Sequence, residues 1–267
     1  MDNEEPIALA SNEVMMRERI ELLKVPIDIL PQDQLADIIY ELISSREGKN
    51  IILLSVWDLL RARGHKEYRA FILRASLIIP ISKSIVGGAN FLIAKHPVRY
   101  MPFDFVISLL TMLEGKGLSV YLLGGKRKVL QKAEKNIRET FPKLLIVGRY
   151  VGSFRKQEEG IILEAIRKAS PTLLLVGKGV SGGEHWIARN DKRLPAGLRL
   201  WCSDLYEIFA EYKKHPSRDT FDKGLEWIGY SFQNPLNFFR LFPFMYYNIL
   251  LAIYKMFKKN KKECPAG

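Results

Sequence analysis

The chain has little cysteine: two in 267 residues, Cys202 and Cys264, far apart and in no CxxC pairing. That spacing suggests neither a disulfide framework nor a zinc site, and it makes a reducing compartment the default. Histidine is also sparse, with four residues, His65, His96, His185 and His215, none in an H-x-x-H or H-E-x-x-H pattern. Metal catalysis therefore has no support, no metal or cofactor is expected, and each histidine reads as structural or surface. No charge-free apolar run reaches the roughly 20 residues of a spanning helix. The longest, from Leu241 to Tyr254, has 14 and contains Pro243 and Asn248. The opening MDNEEPIALASNEVMMRER lacks the basic-then-apolar order of a secretory signal, so export is not expected. No fixed-period repeat or low-complexity segment occurs, which excludes solenoids and arrays.

What is present suits a full core. Hydrophobic residues make up 48% of the chain and aromatics 11%, enough for one large domain or a domain with an appendage. Apolar runs of strand length recur at 50–55, 75–80, 118–125, 143–148, 172–177 and 198–202. Helical periods lie between them, near 31–46, 57–74, 103–116, 126–140, 156–169 and 182–191. Each strand candidate is nearly continuously apolar, as expected when helices cover both faces of a parallel sheet. The reading is an α/β, mainly parallel, doubly wound (Rossmann-like) sheet with helices on both faces. The strand signal stops near Asp219, giving a body over 1–218 and a helical, aromatic and basic C-terminal appendage over 219–267.

Charge is uneven. The formal net charge is +12, and the tail KMFKKNKKE holds five lysines against one glutamate directly after the apolar run. Basic charge beside aromatics fits an anionic bilayer surface, met through residues 236–262. An oligomer interface or a plain core helix is the other reading of the same stretch. Nucleic acid is not expected, because basic residues in the body are interspersed with acids and no reader motif occurs.

In an open parallel sheet the ligand crevice lies beyond the carboxyl ends of the strands. Three loops there carry glycine: Gly124-Gly125, Gly148 to Gly152, and Gly177 to Gly183. Such loops suit a diphosphate-bearing ligand, since glycine permits close backbone approach. Gly177, Gly179 and Gly182 stand in G-x-G-x-x-G register. A nicotinamide fold would place that motif in its first βα unit, and Lys178 is not positioned as in a Walker loop. A glycine turn without a ligand stays open.

Several of these segments together resemble the WecG/TagA/CpsF family of bacterial glycosyltransferases. VYLLGGKRKVLQKAEKNIRETFPKLLIVGRYVGSF carries Gly124, Gly125, Pro142, Gly148, Gly152 and Phe154 in the family's register. VGKGVSGGEHWI matches it at Gly177, Gly179, Glu184 and Trp186, and the box Gly224-Leu-Glu-Trp227 stands intact, followed by Pro235. Weaker similarity runs upstream through VPIDIL, NIILLSVWDLL, SLIIP and VRYMPFD, where Arg99 and Asp104 fit. The coverage is about 20 to 245. The resemblance implies an inverting transfer of an N-acetylhexosamine-type sugar from a UDP donor to a polyprenyl-diphosphate-linked acceptor, without a bound metal ion. It also implies an appendage that closes the site at the membrane, which puts the protein on the cytoplasmic, inner face of the cell membrane as a peripheral protein.

The family's general base is an aspartate, and in Pro80-Ile81-Ser82 its place is taken by Ile81. Other departures gather at the same site. The family's polar Thr and Asn become Ser55 and Trp57, its lysine and glutamine before the glutamate become Gly182-Gly183, and its tyrosine becomes Ser153. The arginine after the GLEW box becomes Tyr230, and Tyr206 falls at a later aspartate, two positions from Asp204. If transfer survives, a carboxylate must serve as base, and Asp58, Asp104 and Glu184 are the candidates. Each has a plainer role: a first helical turn for Asp58 and Glu184, a cap for Asp104. Ser55, Trp57, Gly124, Gly125, Gly152, Phe154, Gly177, Gly179 and Glu184 are the expected substrate-binding set, and Trp57 could instead fill the space of a sugar. Two readings remain: a transferase with altered substrates and a relocated base, or a pseudoenzyme that binds a ligand or acts as a scaffold. A homo-oligomer is compatible with both.

Overall fold

The computed structural model describes residues 17–45, 47–224 and 241–263. Six parallel strands form the central sheet: β3 (Gly48–Leu54), β4 (Leu77–Pro80), β5 (Ser119–Leu123), β6 (Leu145–Tyr150), β7 (Leu173–Val176) and β8 (Gly197–Trp201). Their order is β4-β3-β8-β7-β5-β6. The expected α/β fold is present, with every apolar run from the sequence forming a strand.

The runs are continuous because both faces of the sheet are dry. Ile52 and Leu54 of β3 enter one core cluster, and Ile51 and Leu53 enter the other. The first face is covered by α2 (Val56–Gly64), α3 (Lys66–Leu73), α4 (Lys83–Ile93), α7 (Glu159–Ala169), α8 (Glu184–Asn190) and α11 (Leu241–Glu263). The second is covered by α1 (Leu35–Ser44), α5 (Pro102–Gly115), α6 (Arg127–Thr140) and α9 (Leu205–Phe209), and α10 (Arg218–Lys223) follows α9. Parallel order requires these crossover helices.

Three features depart from the periodicity reading. The helix expected over 57–74 is two helices, α2 and α3, broken at Gly64-His65. Residues 83–93, outside the expected helical periods, form α4. There the missing side chain serves packing: a Cβ on Gly88 would lie 2.0 Å from the Tyr247 hydroxyl of α11, which donates to Ser84 O at 2.9 Å. Before the sheet, β1 (Glu18–Leu22) and β2 (Val25–Ile29) pair as an antiparallel hairpin. Its anchor is Asp28, fully buried, which receives both ends of the Arg19 guanidinium at 2.7 and 2.9 Å and the Ile78 N–H of β4 at 2.7 Å. A buried carboxylate with three donors joins the hairpin to the sheet edge.

Helix α11 packs on α4 and α2. Tyr247, Leu250 and Leu251 face inward, while Phe242, Met245, Tyr246, Ile249, Ile253, Met256 and Phe257 are exposed. Both sets recur at three- and four-residue spacing, so one helix carries an inner and an outer apolar stripe. No helix among the described residues is long and apolar enough to cross a membrane. Leu225 to Arg240, including most of the GLEW box, Tyr230, Pro235 and the start of the 236–262 segment, lie outside the described residues.

Candidate functional site

A cleft of about 360 Å³ opens at the carboxyl edge above β3, β4 and β8. Leu53, Ile81, Met101, Phe103, Trp201 and Phe221 give it apolar walls, and Ser55, Asp58, Glu184, Ser203, Asp204 and His215 supply the polar groups. The position is the one that parallel sheets reserve for ligands.

Ser55 ends β3 and caps α2. Its hydroxyl accepts from the Asp58 N–H at 3.3 Å and donates to Asp58 Oδ2 at 2.5 Å, and the same carboxylate oxygen takes the Ser55 N–H at 3.0 Å. This reciprocal box holds Asp58 in the first turn, at the cleft wall. Glu184 lines the same cleft from the first position of α8 and is only 7% exposed. The Tyr68 hydroxyl donates to its Oε2. Burial, and then the nearby Asp58 charge, push the Glu184 carboxyl up to about 8, against the Tyr68 bond and the Arg61 charge. Near neutral pH it is therefore largely an uncharged acid, able to donate a hydrogen bond into the cleft. Burial and the charges of Glu184 and Asp58 also raise the Tyr68 phenol.

The third candidate base is elsewhere. Asp104 lies in the first turn of α5 but does not cap it: the N-cap is Met101, with no side-chain cap bond. Its Oδ1 stands 3.4 Å from His215 Nε2. It lines a neighbouring pocket of about 360 Å³ with Gln32, Arg99, Ser108 and Arg218. The cleft thus unites Asp58 with Glu184 and leaves Asp104 outside. Trp57 projects from α2, 46% exposed, and is not among the cleft-lining residues, so it does not occupy a sugar's space. Ile81 does line the cleft. Beside it the Ser82 hydroxyl accepts the Val56 N–H at 3.3 Å.

The glycine loops form the other half of this edge, and there the backbone is consumed by packing. A Cβ on Gly124 would lie 2.9 Å from the Gly177 backbone, and one on Gly152 would lie 2.7 Å from that of Gly179. Gly124 N–H donates to Tyr150 O at 2.9 Å, Gly125 to Lys178 O at 2.6 Å, Gly152 to Gly125 O at 3.0 Å and Gly177 to Leu123 O at 2.8 Å. Those four amides serve loop-to-loop bonds. Beneath them Tyr206, fully buried, donates to Leu175 O at 2.8 Å, and its ring fills the space of a Gly177 side chain. Phe154 packs edge-on against Trp186, with ring centroids 6.3 Å apart.

Sequence reasoning missed the contribution of β8. Asp204 lines the cleft, paired with Lys213 Nζ at 2.6 Å, and Ser203 lies beside it. Cys202 also borders it, its thiol pushed up to about 12 by burial and then by Asp204 and Glu207. Arg99, which lines the neighbouring pocket, binds two residues of the cleft wall. Its Nε donates to Ile81 O at 2.9 Å, its Nη1 to Phe221 O at 2.5 Å, and its guanidinium lies 3.7 Å from the Phe221 ring centre. Burial lowers Arg99 to about 10, opposed by Asp222. The arginine thereby clamps α10 over the cleft. Among the described residues no three His, Cys, Asp or Glu side chains gather to hold a metal ion.

Set against known families, this chain matches the model described as the glycosyl transferase WecG/TagA/CpsF family over residues 20–263.

Proposed function

The chain belongs to that family of glycosyl transferases, which works in cell-surface polysaccharide synthesis, and on this premise we propose that it is an active transferase with a relocated base. The donor is a UDP-linked N-acetylhexosamine-type sugar, and the acceptor is a polyprenyl-diphosphate-linked glycan presented at the inner face of the cell membrane. The observation that carries this reading is an open cleft with two carboxyl groups in different environments. Asp58 is held at the wall by the Ser55 box and is the base that takes the acceptor proton. Glu184, kept protonated by burial, donates a hydrogen bond to the donor. Such division of labour between neighbouring carboxyl groups is a recurrent way to run proton transfer near neutral pH.

The test is UDP release from UDP-sugars with a short polyprenyl-diphosphate-sugar acceptor. Turnover is expected, and Asp58→Asn should lower it by roughly 10²–10⁴-fold while donor binding persists. Ile81 at the family's base position favours the second reading, a non-catalytic binder. Tight donor binding with no turnover for any donor would establish that reading instead.

The outer stripe of α11 supports the membrane part of the proposal, since an amphipathic helix with basic neighbours suits an anionic interface. Ile249→Asp with Phe257→Asp alters two exposed positions and should release the protein from anionic liposomes in a sedimentation assay. Unchanged sedimentation would count against an interfacial role.

A further inference from the structure

Behind the cleft wall, on the outside of the α2–α3 corner, lies a pocket of about 350 Å³ that the sugar-transfer reading does not use. Arg61, His65, Lys66 and His185 surround it, with Glu67 as the acid on its rim. None of the four basic side chains forms an ion pair among the described residues. Arg61 instead lies over the Tyr68 ring, 5.2 Å from its centre, and the His185 ring packs on the same tyrosine at 4.9 Å.

Cations gathered around one concavity repel each other unless an anion or a carboxylate intervenes. Their mutual influence is visible at His185, whose proton affinity is depressed by burial first and then by Arg61, Arg189 and His65, with Glu67 opposing.

We propose that this pocket binds a phosphate or diphosphate group, held by Arg61, Lys66 and the two histidines. Beneath Arg61 and His185 lies the buried Tyr68, whose hydroxyl reaches Glu184 through the wall, so an anion here engages the side chains packed on the tyrosine that holds the cleft's acid. Helix α2, which supplies Arg61 to the pocket, also meets the appended helix, where Arg63 donates to the Tyr254 hydroxyl of α11 at 3.1 Å. The anion could belong to a lipid headgroup or to a soluble phosphorylated compound, and the chemistry recognised is the same. The inference does not depend on sugar transfer, so its failure and the failure of that reading are separable.

The experiment uses the full chain. Inorganic pyrophosphate is titrated by calorimetry into the protein, into Arg61→Gln/Lys66→Gln, and into Arg127→Gln/Lys128→Gln, which removes the same charge from α6. The first pair should weaken binding at least tenfold and the second by less than twofold. In parallel, the ring proton signals of the four histidines are followed in the unmutated protein, where two of the four should move with pyrophosphate. Vesicles of phosphatidylcholine containing phosphatidic acid identify the source. Loss of vesicle binding in the first pair alone supports a headgroup, and loss of pyrophosphate binding alone supports a soluble ligand. Equal losses in both pairs, or no pyrophosphate binding and no pair-specific vesicle effect, would overturn the proposal.

Discussion

The two halves of the sheet's carboxyl edge are built in opposite ways. Over β5, β6 and β7, glycine brings three loops into backbone contact and uses their amides on one another. Over β3, β4 and β8, side chains stand apart around open space, and the polar groups there are carboxyls, hydroxyls and the His215 imidazole. The departures from the family pattern at Ser55, Trp57 and Ile81 fall around the second half; in the first, Ser153 and Gly182-Gly183 also depart, but the close-packed glycines Gly124, Gly125, Gly152, Gly177 and Gly179 persist. Close packing explains that difference. A change where backbones touch costs stability at once, while a change at an open wall alters chemistry and leaves the fold intact.

The contrast can be broken by stability measurements. Gly124→Ala carries the largest expected effect: its φ is +141°, and the added Cβ meets backbone at 2.9 Å. Loss of about 3 kcal/mol should appear as a lower denaturant midpoint. A loss below about 1 kcal/mol would mean that the loops can separate.

Next comes Glu184. The folded chain retains a proton that the unfolded chain releases above about pH 4.5, so stability should fall as pH rises toward about 8 and then level off. One proton corresponds to a slope of up to roughly 1.4 kcal/mol per pH unit. Glu184→Gln should flatten the profile; a slope unchanged by the substitution would assign it to another group. The smallest effect is expected for Ser55→Ala, a loss of about 1 kcal/mol from the missing cap, seen as a small drop in the denaturant midpoint. A much larger loss would show that the open half is as tightly constrained as the glycine half.

Much of the fold could be read from the sequence because each strand is an unbroken apolar run with its side chains divided between two cores. The glycine loops were legible as close-approach points, but not what they approach: Gly177 lacks a side chain for the ring of Tyr206, 29 positions later. The hairpin escaped notice because three of the five residues of ERIEL are charged and its buried polar anchor, Asp28, reaches the sheet at Ile78, 50 positions away. The site was legible in part. Ser55 followed three residues later by Asp58 is a local pattern, and it forms a capping box. Tyr68 on Glu184 spans 116 positions, and no periodicity carries that contact. Ser203 and Asp204 match no motif of the family, so only the placement of β8 beside β3 reveals them as walls of the same cleft.

The notch at Gly88 has a rotational consequence. Each residue of an α-helix turns by roughly 100°, so sliding α11 by one position to reseat another side chain would swing its outer stripe a quarter-turn or more. Tyr247 is the residue whose hydroxyl occupies that notch. One absent methyl group on α4 therefore acts as a key, fixing the direction in which Ile249 and Phe257 point, and with it the compass bearing of the whole outer stripe relative to the cleft mouth.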